Sequence, residues 1–529
     1  MDNRFYFGFN TSEERKKRRK AELYSMSEQV STFFWDEAPQ HGLEMREGQQ
    51  DMSFEIVDAL INDQHFAIEA GVGIGKSFGY LVPVLLYSKR MNKPVIIATS
   101  TIALQEQLWR DVHAVMPLLG LNRDVILAKG QTHYLCNKRA DEYMCDPKAD
   151  PPDALKEGIQ QGYEERKDFP EVLPQGIWDK VNVQRFSMKN CGFCEKKCKY
   201  YKVRAALKFT DGVVLCNQDF LTQHLMKLRR GQEGLINAAA DLLVVDEAHN
   251  LDDKVRSATT ERFGQGMLFG MIKSAFYELR SFDQSSVSGE KREAESAIIA
   301  FYNCLKAQVQ KQINEAEQDM RYADRFFFDN NGSAIELLTE MNAAIHNLSS
   351  SIQIYSSMDF RNNRSFAASD DLDAVSESLS ELLDRIDDML IWIEQHGSNT
   401  ELVYCPKNTK EIVSRLYFNG DERTILTSAT LTNATSGSLE EQYSYFISNT
   451  GFPAGDRGCL SEPKPSPYPY DEHAMIYYCD DLPHPTREHE AFIEKGVERL
   501  LEILSISNGK ALVLFTAKSD MEEGYSILS

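Results

Sequence analysis

Long apolar runs are missing from this sequence of 529 residues. No stretch reaches the roughly 18 to 20 apolar residues that a membrane span needs, and the longest candidate, 79–87, contains a proline. The first residues also lack the apolar segment of about 7 to 15 residues that marks a secretory signal. The sequence therefore predicts a cytoplasmic protein that has no membrane association.

Positive charge is also scarce, because 58 lysines and arginines face 80 acidic residues and leave a net charge of −22. A chain of this charge does not coat a phosphate backbone with its whole surface, so a nucleic-acid contact must be a local groove. Disulfides are not expected, since a reducing compartment keeps the 10 cysteines as thiols or metal ligands. The length predicts several domains.

Short β-branched runs alternate with helical stretches, which is typical of a parallel α/β sheet. The runs in the first half predict strands at 66–68, 95–98, 125–127, 213–215 and 242–245. A later series predicts that the same architecture returns at 424–427, 475–479 and 511–515.

The stretch 251–410 interrupts this alternation and is helical by its apolar spacing. Apolar residues at steps of three and four predict one long amphipathic helix over 371–396, with Gly397 as its stop. The sequence therefore predicts an all-helical inserted domain.

The segment 69–77 follows a predicted strand and precedes a predicted helix. Small residues there let backbone N–H groups approach a phosphate, and the start of the helix adds positive potential. Lys76 is predicted to reach the β and γ phosphates of ATP, and the Ser77 hydroxyl to bind Mg²⁺. The predicted nucleotide contacts in this phosphate loop are Ala70, Gly71, Val72, Gly73, Ile74, Gly75, Lys76 and Ser77.

Two carboxylates, Asp246 and Glu247, end a buried apolar run, and open parallel sheets bind their ligands at that edge. Asp246 is predicted to hold Mg²⁺ through water, and Glu247 to orient the attacking water as the catalytic base. His249 completes this Asp-Glu-Ala-His box and is a further catalytic candidate. Upstream of the phosphate loop, Arg46 and Gln49 are predicted to contact ATP, since an amide can recognise an adenine edge.

Four cysteines form the last group, with Cys136 far upstream of Cys191, Cys194 and Cys198 in the pattern C-x2-C-x3-C. Thiolates at this density are typical of zinc or iron-sulfur sites, and spacing alone does not separate those metals. Cys145 is the alternative to Cys136 as the distant ligand. A candidate surface for a phosphate backbone is formed by the nearby Lys196, Lys197, Lys199, Lys202, Arg204 and Lys208.

Taken in order, these motifs resemble the DinG/XPD-like family of superfamily 2 iron-sulfur DNA helicases. The resemblance covers nearly the whole chain after residue 45. Its motifs are Arg46 with Gln49, the phosphate loop, Ala98-Thr99-Ser100-Thr101, 129–136, the cysteine triplet, the carboxylate box and Ser428-Ala429-Thr430. A cysteine module between the phosphate loop and the carboxylate box is found in few other helicases.

The resemblance implies a RecA-like motor domain of the P-loop type with inserted iron-sulfur and arch domains. The four cysteines would hold a [4Fe-4S] cluster, and Thr99 and Thr101 would contact the DNA backbone. Hydrolysis would be coupled to movement through Ser428, Ala429 and Thr430. The expected domains are an N-terminal extension (1–45), motor domain 1 (46–130, 210–250 and 411–440), the iron-sulfur domain (131–209), the helical arch (251–410) and the beginning of a second RecA-like domain (441–529).

The implied activity is ATP-dependent unwinding of DNA in the 5′ to 3′ direction by a monomer that serves DNA repair. Single-stranded DNA and DNA with a 5′ single-stranded tail would be its partners, and ATP, Mg²⁺ and the cluster its cofactors. Because the family continues its second motor domain beyond the position of Ser529, a truncated non-motor module that binds ATP and DNA is the alternative. An RNA helicase with a zinc module is disfavoured, since such proteins seldom place cysteines between these two motifs.

Overall fold

The computed structural model describes residues 12–44, 46–170, 173–184, 198–279, 284–316, 324–330, 332–358 and 367–528. The chain divides into two compact units, Met1–Pro467 and Tyr468–Ser529. None of the helices in these ranges has the length and apolar character that crossing a membrane requires.

The strands of the described residues form two sheets. A seven-stranded sheet has the order β11-β1-β10-β5-β2-β4-β3 with all pairs parallel, and a four-stranded antiparallel sheet has the order β6-β9-β8-β7. In chain order the strands are β1 (His65–Glu69), β2 (Val95–Thr99), β3 (Val125–Leu127), β4 (Val213–Asn217), β5 (Leu242–Asp246), β6 (Glu261–Gly264), β7 (Arg325–Phe327), β8 (Met389–His396), β9 (Asn399–Pro406), β10 (Arg423–Ser428) and β11 (Gly458–Leu460).

Helices surround both sheets and also form most of the second unit. In chain order they are α1 (Ser12–Thr32), α2 (Ala38–Gln40), α3 (Glu47–Ile61), α4 (Lys76–Met91), α5 (Ile102–Leu118), α6 (Asn137–Cys145), α7 (Asp153–Gln160), α8 (Gln175–Val181), α9 (Lys199–Phe209), α10 (Gln218–Arg229), α11 (Leu251–Ala258), α12 (Gln265–Glu278), α13 (Ser288–Glu315), α14 (Gly332–Met358), α15 (Ala367–Asp384), α16 (Lys410–Tyr417), α17 (Leu439–Gln442), α18 (Ser444–Thr450), α19 (Tyr470–His473), α20 (His489–Ile506) and α21 (Lys518–Leu528).

The parallel sheet is buried on both faces, as β2 illustrates. Val95 and Ile97 join the core formed with α1, α3, α4 and α5, whereas Ile96 and Ala98 join the core formed with α10, α11, α16 and α18. Side chains alternate between the faces of a strand, so a continuous apolar run fills both helix layers. The predicted α/β fold with a parallel RecA-like sheet is confirmed.

The strand order brings three predicted motifs to one edge of this sheet. β10 lies between β1 and β5, with Glu69 opposite Ser428 and Thr427 opposite Asp246. Because all three strands are parallel, their carboxyl ends meet at the same edge. The phosphate loop, the carboxylate box and Ser428-Ala429-Thr430 are therefore neighbours in space.

The prediction that the insertion is all-helical is wrong, because it contains the antiparallel sheet β6-β9-β8-β7. Helices α12 to α15 pack with this sheet around one apolar core. The two outer strands of the sheet, β6 and β7, have only four and three residues, whereas the inner strands β8 and β9 have eight each. Runs as short as the outer strands carry almost no periodic signal.

The helix predicted over 371–396 ends at Asp384, and Met389–His396 is strand β8. In β8, Met389 and Ile393 are buried while Leu390 is 45% exposed, so the apolar spacing that suggested one helix spans two different elements. Gly397 begins a two-residue turn into β9 and has a φ of 60°. Glycine adopts this conformation without strain, which favours a tight hairpin rather than the predicted helix stop.

The expected start of the second motor domain at 441 is also too early. Strand β11 pairs with β1 in the first sheet, and the division between the units falls after Pro467. The runs 475–479 and 511–515, predicted as strands, are not strands. Within the described residues they pair with no other strand, and Ile476 and Leu514 are 93% and 84% exposed. An apolar run forms a strand only where a neighbour completes its hydrogen bonds.

Candidate nucleotide site and cysteine module

The phosphate loop connects the end of β1 to the start of α4. Gly73 and Gly75 have φ angles of 91° and 87°, in the left-handed region that favours glycine. A Cβ added at Gly75 would lie 2.4 Å from the Gln49 Nε2, so the end of the Gln49 side chain would have to shift. The resulting turn places backbone N–H groups at the beginning of a 16-residue helix, where an anion is favoured.

Arg46 and Gln49 lie against this loop, as the sequence predicted for residues near the nucleotide. The Arg46 guanidinium donates to the carbonyl oxygen of Gly73, and the Gln49 Nε2 donates to that of Gly75 at 2.9 Å. Both side chains thus hold the backbone of the loop. Their predicted contact with adenine stays a prediction.

The phosphate loop and the carboxylate box are joined directly by an ion pair. The Lys76 Nζ lies 3.0 Å from the Glu247 Oε1, and both side chains are mostly shielded from solvent. Glu247 has a φ of 56° and a ψ of 46°, a left-handed conformation that costs a non-glycine residue energy. The Gln218 Nε2 stabilises this turn by donating to the carbonyl oxygens of Asp246 and Glu247, at 2.7 and 3.0 Å.

Asp246 has the features of a metal ligand. Burial raises the pKa of its carboxyl to about 6, with Lys76 opposing that shift and Glu247 adding to it. Its Oδ1 is buried and accepts no hydrogen bond from the described residues. A buried carboxylate oxygen normally has a partner, and Mg²⁺ prefers such oxygens. The donor set predicted for Mg²⁺, Asp246 with Ser77, therefore fits that ion.

Asp111 on α5 is a residue that the sequence analysis missed. Burial raises the pKa of its carboxyl, while a hydrogen bond with the Ser77 hydroxyl opposes the shift. Asp111 therefore lies close to the second predicted magnesium ligand. It stands within an ordinary amphipathic helix, so no local motif marks it in the sequence.

Ser428 links the carboxylate box to the segment that follows β10. Its hydroxyl lies 2.6 Å from the His249 Nδ1 and donates to the Glu247 Oε2 at 3.4 Å. The backbone N–H of Thr430 donates to the same hydroxyl at 3.3 Å. The structure thus brings the predicted coupling residue Ser428 into contact with Glu247 and His249, and Thr430 is linked to them through the Ser428 hydroxyl.

The two threonines predicted to contact DNA differ in accessibility. Thr99 is 1% exposed at the end of the interior strand β2, so its side chain offers no surface to a DNA backbone. Thr101 is exposed and caps α5, where its Oγ1 accepts from the Leu104 N–H at 3.3 Å. Contact of Thr101 with DNA stays a prediction.

Two of the four predicted cluster ligands lie in the described residues. Cys136 is 4% exposed and packs with Tyr134 and Tyr200, whose rings are 5.5 Å apart. Tyr200 belongs to the first turn of α9, which directly follows Cys198. The structure therefore brings the segments of the distant cysteine and the last triplet cysteine together.

The metal site itself stays a prediction. Cys191 and Cys194 lie outside the described residues, and the remainder contains no group of three or more metal-ligating side chains. The alternative ligand Cys145 is exposed at the far end of α6, whereas Cys136 caps the start of that helix. This placement favours Cys136 as the distant ligand.

The basic residues around the triplet mostly contact the protein itself. Lys199 pairs with Glu165 at 2.7 Å, Lys208 pairs with Glu233 at 2.6 Å, and Arg204 donates to the Leu235 carbonyl at 2.6 Å. Lys202 is exposed, and Lys196 and Lys197 lie outside the described residues. Most described residues of the predicted phosphate-binding surface therefore already pair with other groups of the protein.

A chain of alternating charges connects the motor sheet to the cysteine module. Lys129 is buried between Glu106 of α5 and Glu165 of the module, at 2.7 and 2.8 Å. Lys167 pairs with Glu106 at 3.1 Å, and Lys199, next to Cys198, pairs with Glu165. This chain fixes the start of α9 relative to α5.

Replacing Lys129 by alanine is expected to lower the free energy of unfolding by about 3 to 5 kcal/mol, because it leaves two carboxylates facing each other without their shared cation. Denaturant titration followed by circular dichroism measures the change. Lys138→Ala is the matched control, since Lys138 pairs with Glu142 on the surface of α6, and such pairs contribute about 1 kcal/mol or less. Equal losses in the two variants would contradict a special role for Lys129.

The same pairs should weaken in acid. Burial alone would raise the pKa of Glu165, but its hydrogen bonds with Lys129 and Lys199 hold that pKa below its usual value. A carboxyl with a lowered pKa stabilises the fold above its ordinary pKa, and this contribution is lost as the pH falls through the lowered value. The cost of Lys129→Ala should therefore shrink between neutral and acidic pH in the same titration.

Comparison with known proteins finds one matching family model and several similar proteins. The DEAD_2 family model matches residues 132–266. The probable ATP-dependent helicase YpvA of Bacillus subtilis is 24% identical over 93% of this chain, and the 3′-5′ exonuclease DinG of the same bacterium is 25% identical over 90%. The ATP-dependent DNA helicase YoaA of Escherichia coli is 30% identical over 43% of the chain.

The chain spans 75% of YpvA, 55% of DinG and 36% of YoaA. The DEAD_2 match contains all four predicted cluster cysteines and the carboxylate box. These similarities agree with the parallel sheet and the order of motifs along it. The family-model match and these relatives support the resemblance to the DinG-like helicases.

Proposed function

We propose that this protein is an ATP-dependent DNA helicase that moves 5′ to 3′ along single-stranded DNA and unwinds duplexes with a 5′ single-stranded tail. One arrangement carries the proposal: Lys76, Glu247 and Ser428 meet at the carboxyl edge of the sheet. The named helicase relatives support it. We propose further that it acts as a cytoplasmic monomer in DNA repair.

The hydrolytic step follows from the ion pair between the two motifs. In the proposed reaction, ATP draws Lys76 from Glu247 to its β and γ phosphates, which leaves the carboxylate ready to act as a base. Water attacks the γ-phosphorus, its proton passes to Glu247, and the bond to the ADP oxygen breaks. Ser77 and Asp246 would hold Mg²⁺, which would supply positive charge beside the phosphates.

Coupling to DNA movement is proposed to start at Ser428. Its hydroxyl touches both Glu247 and His249, so a shift of the carboxylate changes the hydrogen bonds of Ser428. Thr430 donates its backbone N–H to the same hydroxyl and lies two residues further along. Changes at the nucleotide would thus reach the segment beyond β10.

We also propose that Cys136, Cys191, Cys194 and Cys198 hold a [4Fe-4S] cluster. The buried Cys136 and the position of Cys198 beside the Tyr134–Tyr200 contact support this donor set. Thiolates are the preferred ligands of such clusters. The cluster would complete the small core of this module.

Steady-state ATPase assays with and without single-stranded DNA, and unwinding assays on duplexes with a 5′ or a 3′ tail, test the proposal. We expect DNA to stimulate turnover and only the 5′-tailed duplex to be unwound. Unwinding of the 3′-tailed duplex alone would contradict the proposed direction. DNA binding without stimulated turnover would instead support the non-motor module.

A further inference from the structure

The carboxylate of Glu69, at the end of β1, is held by the segment that follows Ser428-Ala429-Thr430. Its Oε2 accepts hydrogen bonds from the Leu431 N–H at 2.6 Å, the Thr432 N–H at 2.6 Å and the Thr432 Oγ1 at 2.9 Å. Hydrogen bonds to a charged acceptor are shorter and stronger than those between neutral groups. Three donors on one oxygen fix both the side chain and the segment.

The backbone of Glu69 is held equally closely. Its N–H donates to the Tyr443 hydroxyl at 2.8 Å, and its carbonyl oxygen accepts from the Lys464 N–H at 2.9 Å. The next residue, Ala70, opens the phosphate loop, and its N–H donates to the Ser428 carbonyl oxygen at 2.8 Å. Any displacement of the loop therefore pulls on Glu69 and on the end of β10 together.

A second link continues from the same place. The Gly71 N–H donates to the Lys464 carbonyl oxygen at 2.9 Å, and the Ser466 Oγ donates to the Val72 carbonyl oxygen at 2.7 Å. A Cβ at Gly71 would lie 2.6 Å from the Ser466 nitrogen. The phosphate loop is thus packed against 464–466 on one side and tied to 431–432 through Glu69 on the other.

We propose that Glu69 is a positioning residue that transmits nucleotide binding from the phosphate loop to residues 428–432. The effect on DNA movement rests on the proposed function, in which that segment couples hydrolysis to movement. Glu69 touches no reacting atom in this role.

Hydrogen exchange of the whole protein, with and without a non-hydrolysable ATP analogue, tests the link without requiring activity. In the wild type, the analogue should slow exchange of the Leu431 and Thr432 amides by about tenfold, a typical coupling between two sites. In Glu69→Ala this response should vanish. Glu69→Gln keeps one acceptor oxygen and should retain part of the response.

Glu55→Gln is the matched control, because Glu55 pairs with Lys464 at 2.7 Å but does not contact 428–432. It should keep the full exchange response. DNA-stimulated ATPase activity is measured in the same variants. In Glu69→Ala we expect the stimulation to fall about tenfold, while the affinity for the ATP analogue changes less than about threefold.

The outcomes separate this inference from the proposed function. An unchanged exchange response in Glu69→Ala, or no response in the wild type, overturns the inference. Parallel losses of nucleotide affinity, thermal stability and response in Glu69→Ala would show a structural role and would overturn it too. A wild type that responds to the analogue but shows no DNA-stimulated turnover contradicts the proposed function and leaves the link supported.

Discussion

Replacing Lys76 by alanine is expected to abolish ATP turnover and to weaken nucleotide binding. The substitution removes the cation predicted to bind the β and γ phosphates. It also leaves Glu247 beside Asp246 without the ammonium group 3.0 Å away that balances its charge. Both effects act on the same site, so turnover should fall below detection in a steady-state assay, and affinity for a fluorescent ATP analogue should drop.

Replacing Glu247 by glutamine should separate binding from hydrolysis. The amide keeps the shape of the side chain but cannot accept a proton, so turnover should fall about 10²- to 10⁴-fold while the analogue still binds. Lys93→Ala is the control, because Lys93 forms an exposed pair with Asp241 far from the phosphate loop, and it should leave both measurements unchanged. Equal losses of nucleotide affinity in Lys76→Ala and Glu247→Gln would contradict the separate roles assigned to them.

The second large effect concerns the cysteine module. Protein purified without oxygen is expected to be brown and to contain about four irons per chain, as four thiolate ligands imply. Cys136→Ser or Cys198→Ser should remove the iron, because each takes away one ligand. Iron and sulfide analysis with visible absorption measures the result, and DNA binding should fall in the same variants.

Two cysteines of this chain serve as controls for that experiment. Cys216 is fully buried in β4, and burial raises the pKa of its thiol, so it stays protonated and cannot act as a ligand. Cys145 is exposed on α6. Cys216→Ser and Cys145→Ser should keep the iron. One zinc per chain without visible colour would falsify the cluster assignment. Loss of iron in Cys145→Ser but not in Cys136→Ser would show that Cys145, and not Cys136, is the distant ligand.

The sequence by itself determined the class of fold and predicted the residues that would carry the chemistry. Apolar β-branched runs filled both faces of a parallel sheet, because a strand buried on both sides needs no polar alternation. The phosphate loop and the carboxylate box stood out since each is a short local pattern at the end of such a run. The positions of Lys76 and Glu247 could therefore be assigned before any contact was known.

Tertiary structure decided the contacts between those patterns. Three contacts depend on β10 lying between β1 and β5. They are the ion pair of Lys76 with Glu247, the contacts of the Ser428 hydroxyl with Glu247 and His249, and the hydrogen bonds of the Glu69 carboxylate with Thr432. Strand order is set by how the helices cover the sheet and not by local periodicity. Residues separated by more than 170 positions leave no pattern in the sequence when they meet.

The insertion 251–410 also shows where prediction from the sequence fails. The spacing of apolar residues correctly indicated helices there. It also extended the helical pattern past Asp384 into β8. Apolar residues at steps of three and four can occur by chance where a helix is followed by a strand. Pairing with β9 and the left-handed turn at Gly397 make this segment a strand. A strand needs a partner for its backbone hydrogen bonds, and only the folded chain supplies that partner.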